Sequence, residues 1–164
     1  MQDFTQKGNW LKQTSLEIRV IYTLFIVFAL IGHLSFILIS VYRIGVNPAE
    51  IANHYRGGAD ELSFPKEFIE LLEVTHFHAY IEGIVLLVLT HLFSAVPLKR
   101  KTKLIAIVTA FSATFLDLSS PWLIRYVSEG FASLQILSWM GMAVSYFPLT
   151  LLPLYYLWKR AEAS

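Results

Sequence analysis

The stretch Leu71–Phe93, LLEVTHFHAYIEGIVLLVLTHLF, sets His76, His78, Glu82 and His91 in an otherwise apolar run. An ionisable group inside a bilayer costs about 2.5–3.5 kcal/mol on insertion scales, so a segment that keeps several is expected to use them. Three chemistries fit these residue types. Imidazoles from facing helices ligate haem iron, which makes His33, His91, His78 and His76 the expected cofactor-binding residues and haem b the expected cofactor. Imidazole with carboxylate instead suits a non-haem iron, copper or zinc ion, with His33, His78 and His91 as metal-ligating histidines and Glu82 and Asp117 beside them. Without a metal, His33, His78, Glu82 and Asp117 make a proton relay, Glu82 and Asp117 otherwise tuning the ligands.

Spacing divides these groups. At about 100° per residue, His78 and Glu82 share one helix face, while His76, Tyr80, Gly83 and His91 fall on the roughly opposite face. Taking the centre of each apolar run as the midplane puts His33 roughly 3 Å outward, Asp117 roughly 5 Å outward and His91 roughly 5 Å inward. His33 and His91 are therefore the expected pair by depth, with His78 and His76 at an outer site.

The elements that must position them are membrane helices. The chain has 164 residues, 55% hydrophobic and 15% charged, with a mean hydropathy of +0.56, a composition outside the soluble range. A net charge of +1 argues against a nucleic-acid partner, and the absence of cysteine excludes disulfides, thiolate metal sites and c-type haem attachment. Charged end markers predict an all-α, four-helix integral membrane bundle, a single transmembrane domain with helices at 18–43, 67–97, 103–126 and 131–159 and an outer loop at 44–66. A short helix is expected at Pro48–Tyr55, and kinks at Pro148 and Pro153. The N-terminal segment, the Leu98–Lys103 loop and the C-terminus carry nine Lys and Arg against four on the other side. The positive-inside rule then puts both termini in the cytoplasm of a multi-pass inner-membrane protein, with Trp10, Trp122 and Trp158 at the interfaces.

Structural roles compete with these functional ones. His33 could serve as interhelical glue, His76 as an interfacial residue, and Asp117 as an ion-pair partner of Arg125. His54, in NPAEIANHYRGG, is expected on a solvent-exposed loop. The aromatic residues of the fourth helix are expected to face lipid or neighbouring helices.

In helix number, cytoplasmic termini, lack of cysteine and histidines on its first two helices, the chain resembles the small four-helix bacterial membrane cytochromes b. The resemblance implies an electron-transfer subunit of a respiratory complex, binding b-type haem between the quinone pool and a periplasmic redox partner. An acidic outer surface would dock that partner. The first helix offers only His33 and the last two offer no histidine, so a two-haem set would need His54 or a neighbouring subunit. The alternative is a non-catalytic accessory or assembly subunit meeting other membrane-complex subunits. Neither reading makes the chain a stand-alone enzyme.

Overall fold

A computed structural model of the chain describes residues 14–58 and 64–159. Trp10, the first basic residues and loop positions 59–63 lie outside the described residues. The described residues form five α-helices: α1 (Leu16–Arg43), α2 (Pro48–Arg56), α3 (Phe68–Ser94), α4 (Arg100–Tyr126) and α5 (Ala132–Trp158), with a 3-10 turn at Glu129–Phe131 before α5. Four of them, α1, α3, α4 and α5, are long and apolar enough to cross a membrane. At 1.5 Å per residue, the 28 residues of α1 span about 42 Å, more than the hydrocarbon thickness.

Two helix ends differ from the expected bounds. The α3 helix stops at Ser94 rather than 97, where Pro97 enforces a turn and the Lys103 ammonium donates to the Ser94 carbonyl at 2.6 Å. The basic cluster expected as a loop instead opens α4 at Arg100. Cations oppose the dipole at a helix N-terminus, so local helix energetics do not account for their place.

The short helix α2 caps the bundle. Its first turn is fixed by a capping box between Asn47 and Glu50, with Pro48 at the first helical position. Gly45, at φ 94°, lets the chain pass so close to Glu50 that Glu50 accepts from the Val46 N–H at 2.9 Å. Arg56 donates to the Ile124 carbonyl at 2.9 Å, placing a cation on the C-terminus of α4. The Arg125 guanidinium donates to the Lys66 carbonyl at 2.9 Å. Arg125 therefore ties down the α2–α3 connection, and the expected Asp117–Arg125 ion pair is not among those formed by the described residues.

Two apolar cores result. One, at the α2 end, gathers Ile51, Tyr55, Leu71 and Ile124; the other, toward the chain termini, gathers Ile26, Leu86, Leu89, Phe93, Leu149 and Leu157. Between them runs a polar layer of Asp117, Ser120, Gln135 and Ser138, all buried. The α1 helix has the highest mean hydropathy, 2.6, and is the least buried. Its backbone approaches α5 more extensively than α3.

The α4–α5 pair is the most extensive helix contact. A Cβ added at Gly141 would lie 2.9 Å from the Ala113 Cβ, so the glycine sets how closely these helices approach. Gly141→Leu is expected to destabilise the bundle by about 1–3 kcal/mol. Ala113→Gly in the same background should recover part of that loss, as read by thermal unfolding in detergent.

All three transmembrane prolines, Pro121, Pro148 and Pro153, lie inside continuous helices. Pro121 lacks the N–H that would bond the Asp117 carbonyl. The Ser120 hydroxyl stands 3.4 Å from that freed carbonyl.

Candidate functional site

The polar layer is built from α3, α4 and α5. Heptad-like burial of α3 turns His78 and Glu82 toward the bundle, together with Leu86, Leu89 and Phe93, while His76, Tyr80 and His91 are exposed on the outside. His78 Nδ1 and Glu82 Oε1 stand 3.0 Å apart, with the Glu82 side chain 12% exposed and that of His78 32%. The other carboxylate oxygen, Glu82 Oε2, is buried without a hydrogen-bond partner.

Across from this pair, Asp117 is 7% exposed. Its Oδ1 accepts from the Gln135 amide at 2.5 Å, and the Ser138 hydroxyl lies 3.4 Å from the same oxygen. The Gln135 carbonyl oxygen in turn accepts from Ser120 at 2.5 Å. A single glutamine thus links the hydroxyl of α4 to the carboxyl of the same helix. The Trp139 indole N–H is directed toward Asp117 but falls short of hydrogen-bond geometry, leaving Nε1 unpartnered, as is the nearby Thr114 hydroxyl on the Asp117 face of α4.

From α1, His33 stacks on Tyr146 of α5 with ring centroids 4.1 Å apart and planes 7° from parallel. Phe36 stands between His33 and His78, its ring 6.4 Å from the first and 6.2 Å from the second. Glu82, bonded to His78 and with its second oxygen buried and unpartnered, is the acid at the α3 side of this layer.

The structure therefore gathers His33, His78, Glu82 and Asp117 into one region and leaves His76 and His91 outside it. His91 lies nine residues beyond Glu82, about half a turn out of register and roughly 13 Å along the helix, so it does not face His33. Among the described residues no three His, Asp or Glu side chains gather tightly enough to hold a metal ion. His33 stacks on Tyr146, His78 bonds Glu82, Asp117 bonds Gln135, and His91 is exposed on the outside.

Other residues take parts that the sequence reading did not assign. Gln135, Ser138, Ser120 and Trp139 build the Asp117 environment; a lone glutamine in an apolar helix was the available signal. Tyr146, expected as packing or lipid surface, is buried against His33, whereas Phe147, Tyr155 and Trp158 are exposed. His54, expected on a solvent-exposed loop, is half-buried on α2, its ring edge-on to Tyr55.

Partial burial, with Lys66 adding to it, holds the His54 imidazole below its ordinary value. The folded cap prefers neutral His54, so its contribution is fully present above the unfolded value of about 6.5 and is lost as pH falls through the folded value. Amide-exchange protection of α2 should fall on acidification below about pH 6.5, by at most about tenfold per pH unit. His54→Gln should flatten that dependence.

Residues 45–164 match the Aq_1264_TM family, described as a transmembrane helical domain. The matched region includes His54, His78, Glu82, Asp117, Gln135 and Trp139, and begins after α1, which carries His33. No curated protein and no solved structure matches the chain. With four membrane-length helices and more than half of its length in the match, this multi-pass membrane protein belongs to the Aq_1264_TM transmembrane helical domain family.

Proposed function

We propose that the chain is an inner-membrane subunit, its termini cytoplasmic, that exchanges protons between the outer aqueous face and the bilayer interior. The observation that carries this reading is Glu82: hydrogen-bonded to His78, set in the layer that holds Asp117, and left with one buried oxygen unpartnered. Buried acid and imidazole chains in membranes serve as proton relays. His78 and Glu82 form the exchanging pair, Asp117 with Gln135 and Ser138 the inner station, and His33 on Tyr146 the branch toward α1. The excess of Lys and Arg toward the termini supports the orientation, which puts this site on the periplasmic side. Infrared difference spectra of the full-length protein in lipid, recorded across a pH step in water and heavy water, should show an exchanging carboxyl band. Glu82→Gln should remove it. A pH-silent carboxyl region, or a band unchanged in Glu82→Gln, would refute the relay.

One observation favours a second reading, an electron-transfer subunit carrying haem b. His76 and His91 lie on the exposed face of α3, fifteen residues apart and separated by Gly83, whose added Cβ would meet nothing within 4 Å. A neighbouring subunit with its own imidazoles on that face would supply the opposite axial ligands at two levels, since small residues let helices and a porphyrin approach. In that assembly the relay on the inner face would serve the redox chemistry. A Soret band in protein purified from its native membrane, lost in His91→Ala and His76→Ala, is the expected result; its absence removes this reading.

A further inference from the structure

Between α1 and α3 lies a cavity of about 590 Å³, within the range of small-molecule sites. It is roofed by His54 and Tyr55 of α2, and its inner end reaches His78, Asp117, Gln135 and Trp139. Ile39 of α1 and Val74 and Phe77 of α3 line this cavity and are more than half exposed, so its side between these two membrane-length helices is open to the surroundings of the bundle. Gly32, on the α1 wall, meets nothing within 4 Å. The intervening walls are apolar, with Phe36, Ile39, Val74, Phe77 and Leu118. A ligand that enters this way is lipid-soluble along its length and polar only at its head.

The polar end selects the head. Asp117, with Glu82 behind His78, opposes an anion in a low-dielectric setting, and His78, Arg43 and Lys66 along the path oppose a cation. Acidic Glu70 and Glu73 share the mouth with the two bases, so the entrance has no single sign. What remains is a neutral head whose oxygens accept hydrogen bonds and, in a hydroxyl form, also donate them. The Trp139 N–H, set beside Asp117 without a full hydrogen bond to it, and the Asp117 carboxyl put a donor and an acceptor at the same end.

We propose that this lateral cavity binds a lipid-soluble quinone or hydroquinone, its ring between Phe36 and Trp139 and its tail leaving between α1 and α3. The ring has the flatness and paired oxygens that the polar end can meet, and a hydroquinone would present its hydroxyl protons beside His78 and Glu82. The proposal rests on the proton-exchange reading for what those protons do next, and binding itself does not require that reading.

The test uses full-length protein in phosphatidylcholine nanodiscs, with a decyl-substituted benzoquinone as probe and tryptophan fluorescence quenching as readout. Saturable quenching is expected, and Trp139→Phe should remove its saturable part. Gly32→Leu should weaken binding by about tenfold or more by filling the cavity. Ser112→Leu, a leucine introduced at an exposed position of α4 outside the cavity, should leave binding unaltered. Unsaturable quenching, equal weakening by both leucine variants, or displacement of the probe by stoichiometric decyltrimethylammonium would overturn the proposal. Absent binding with an intact Glu82 infrared response refutes the ligand alone, whereas saturable binding with a silent Glu82 refutes the relay alone.

Discussion

Gln135→Leu is expected to lower the stability of the bundle by about 1–3 kcal/mol, the cost of leaving a buried polar group without its partner. The substitution nearly conserves volume, so cavity formation contributes little. What it removes is the amide that joins two groups: the Nε2 donor to Asp117 and the Oε1 acceptor of Ser120. Asp117 would keep the neighbouring Trp139 indole, short of a full hydrogen bond, and the Ser138 hydroxyl at 3.4 Å, which already donates to the Gln135 backbone carbonyl at 2.6 Å. Ser120 would fall back on the carbonyl freed by Pro121. For a chain of this size the loss corresponds to a drop in melting temperature of about 2–12 °C.

A second variant separates the hydrogen bond from generic damage. Replacing both partners of a buried interaction by apolar groups can be nearly neutral, so Asp117→Leu/Gln135→Leu should regain most of what Gln135→Leu loses. A single variant as stable as the parent, or a double variant no better than the single, would show that the network does not act as one unit. Differential scanning fluorimetry in one detergent suffices for the comparison.

The helices were legible in the sequence because charges mark their ends, and the intramembrane ionisable residues were legible because lipid makes them conspicuous. Azimuth was harder. Along α1 nearly every position is apolar, and the polar residues of α3 and α5 fall on more than one face, so periodicity alone does not separate the buried side from the lipid side. Depth made His33 and His91 appear paired, but helical phase turns His91 away from the inward face that carries Glu82. On α3 the four-residue spacing of His78 and Glu82 did identify a shared face, since both members are polar and the relation is local.

The polar companions of Asp117 were hidden for a different reason. Gln135, Ser138 and Trp139 are uncharged residues on a helix otherwise rich in aromatic and aliphatic side chains, and each has an ordinary packing role. Only the close approach of α4 and α5 at Gly141 brings them to the carboxyl. His54 fell inside the short helix expected at Pro48–Tyr55, and its partial burial was hidden because nothing local in the sequence shows that this helix, bounded by the turns at Asn47-Pro48 and Gly57-Gly58, packs onto the bundle. The short helix between those turns is the cap of the bundle, and its inward side is apolar, with Ile51, Ala52 and Tyr55 buried.

His78→Leu should destabilise the protein far more than Glu82→Leu, although the two variants delete opposite ends of one hydrogen-bonded pair. Removing His78 leaves both Glu82 oxygens without partners in a nearly closed setting; breaking a buried pair this way costs about 3–5 kcal/mol. Partial exposure of His78 to the lateral cavity places the expectation near the lower bound of that range. Removing Glu82 leaves an imidazole that is one-third exposed and able to remain neutral, so the expected cost is below about 1 kcal/mol. The double variant should match Glu82→Leu rather than the sum, because once the carboxyl is gone nothing is left stranded. Urea unfolding is poorly suited to such a bundle, so the cycle is best read by titration with a denaturing detergent against tryptophan fluorescence. Equal losses in the two single variants would mean that Glu82 is anchored by something other than His78. The predicted asymmetry has a consequence for function: if the fold tolerates leucine at Glu82, folding does not require the carboxyl, and the expense of keeping it in the bilayer falls to proton exchange.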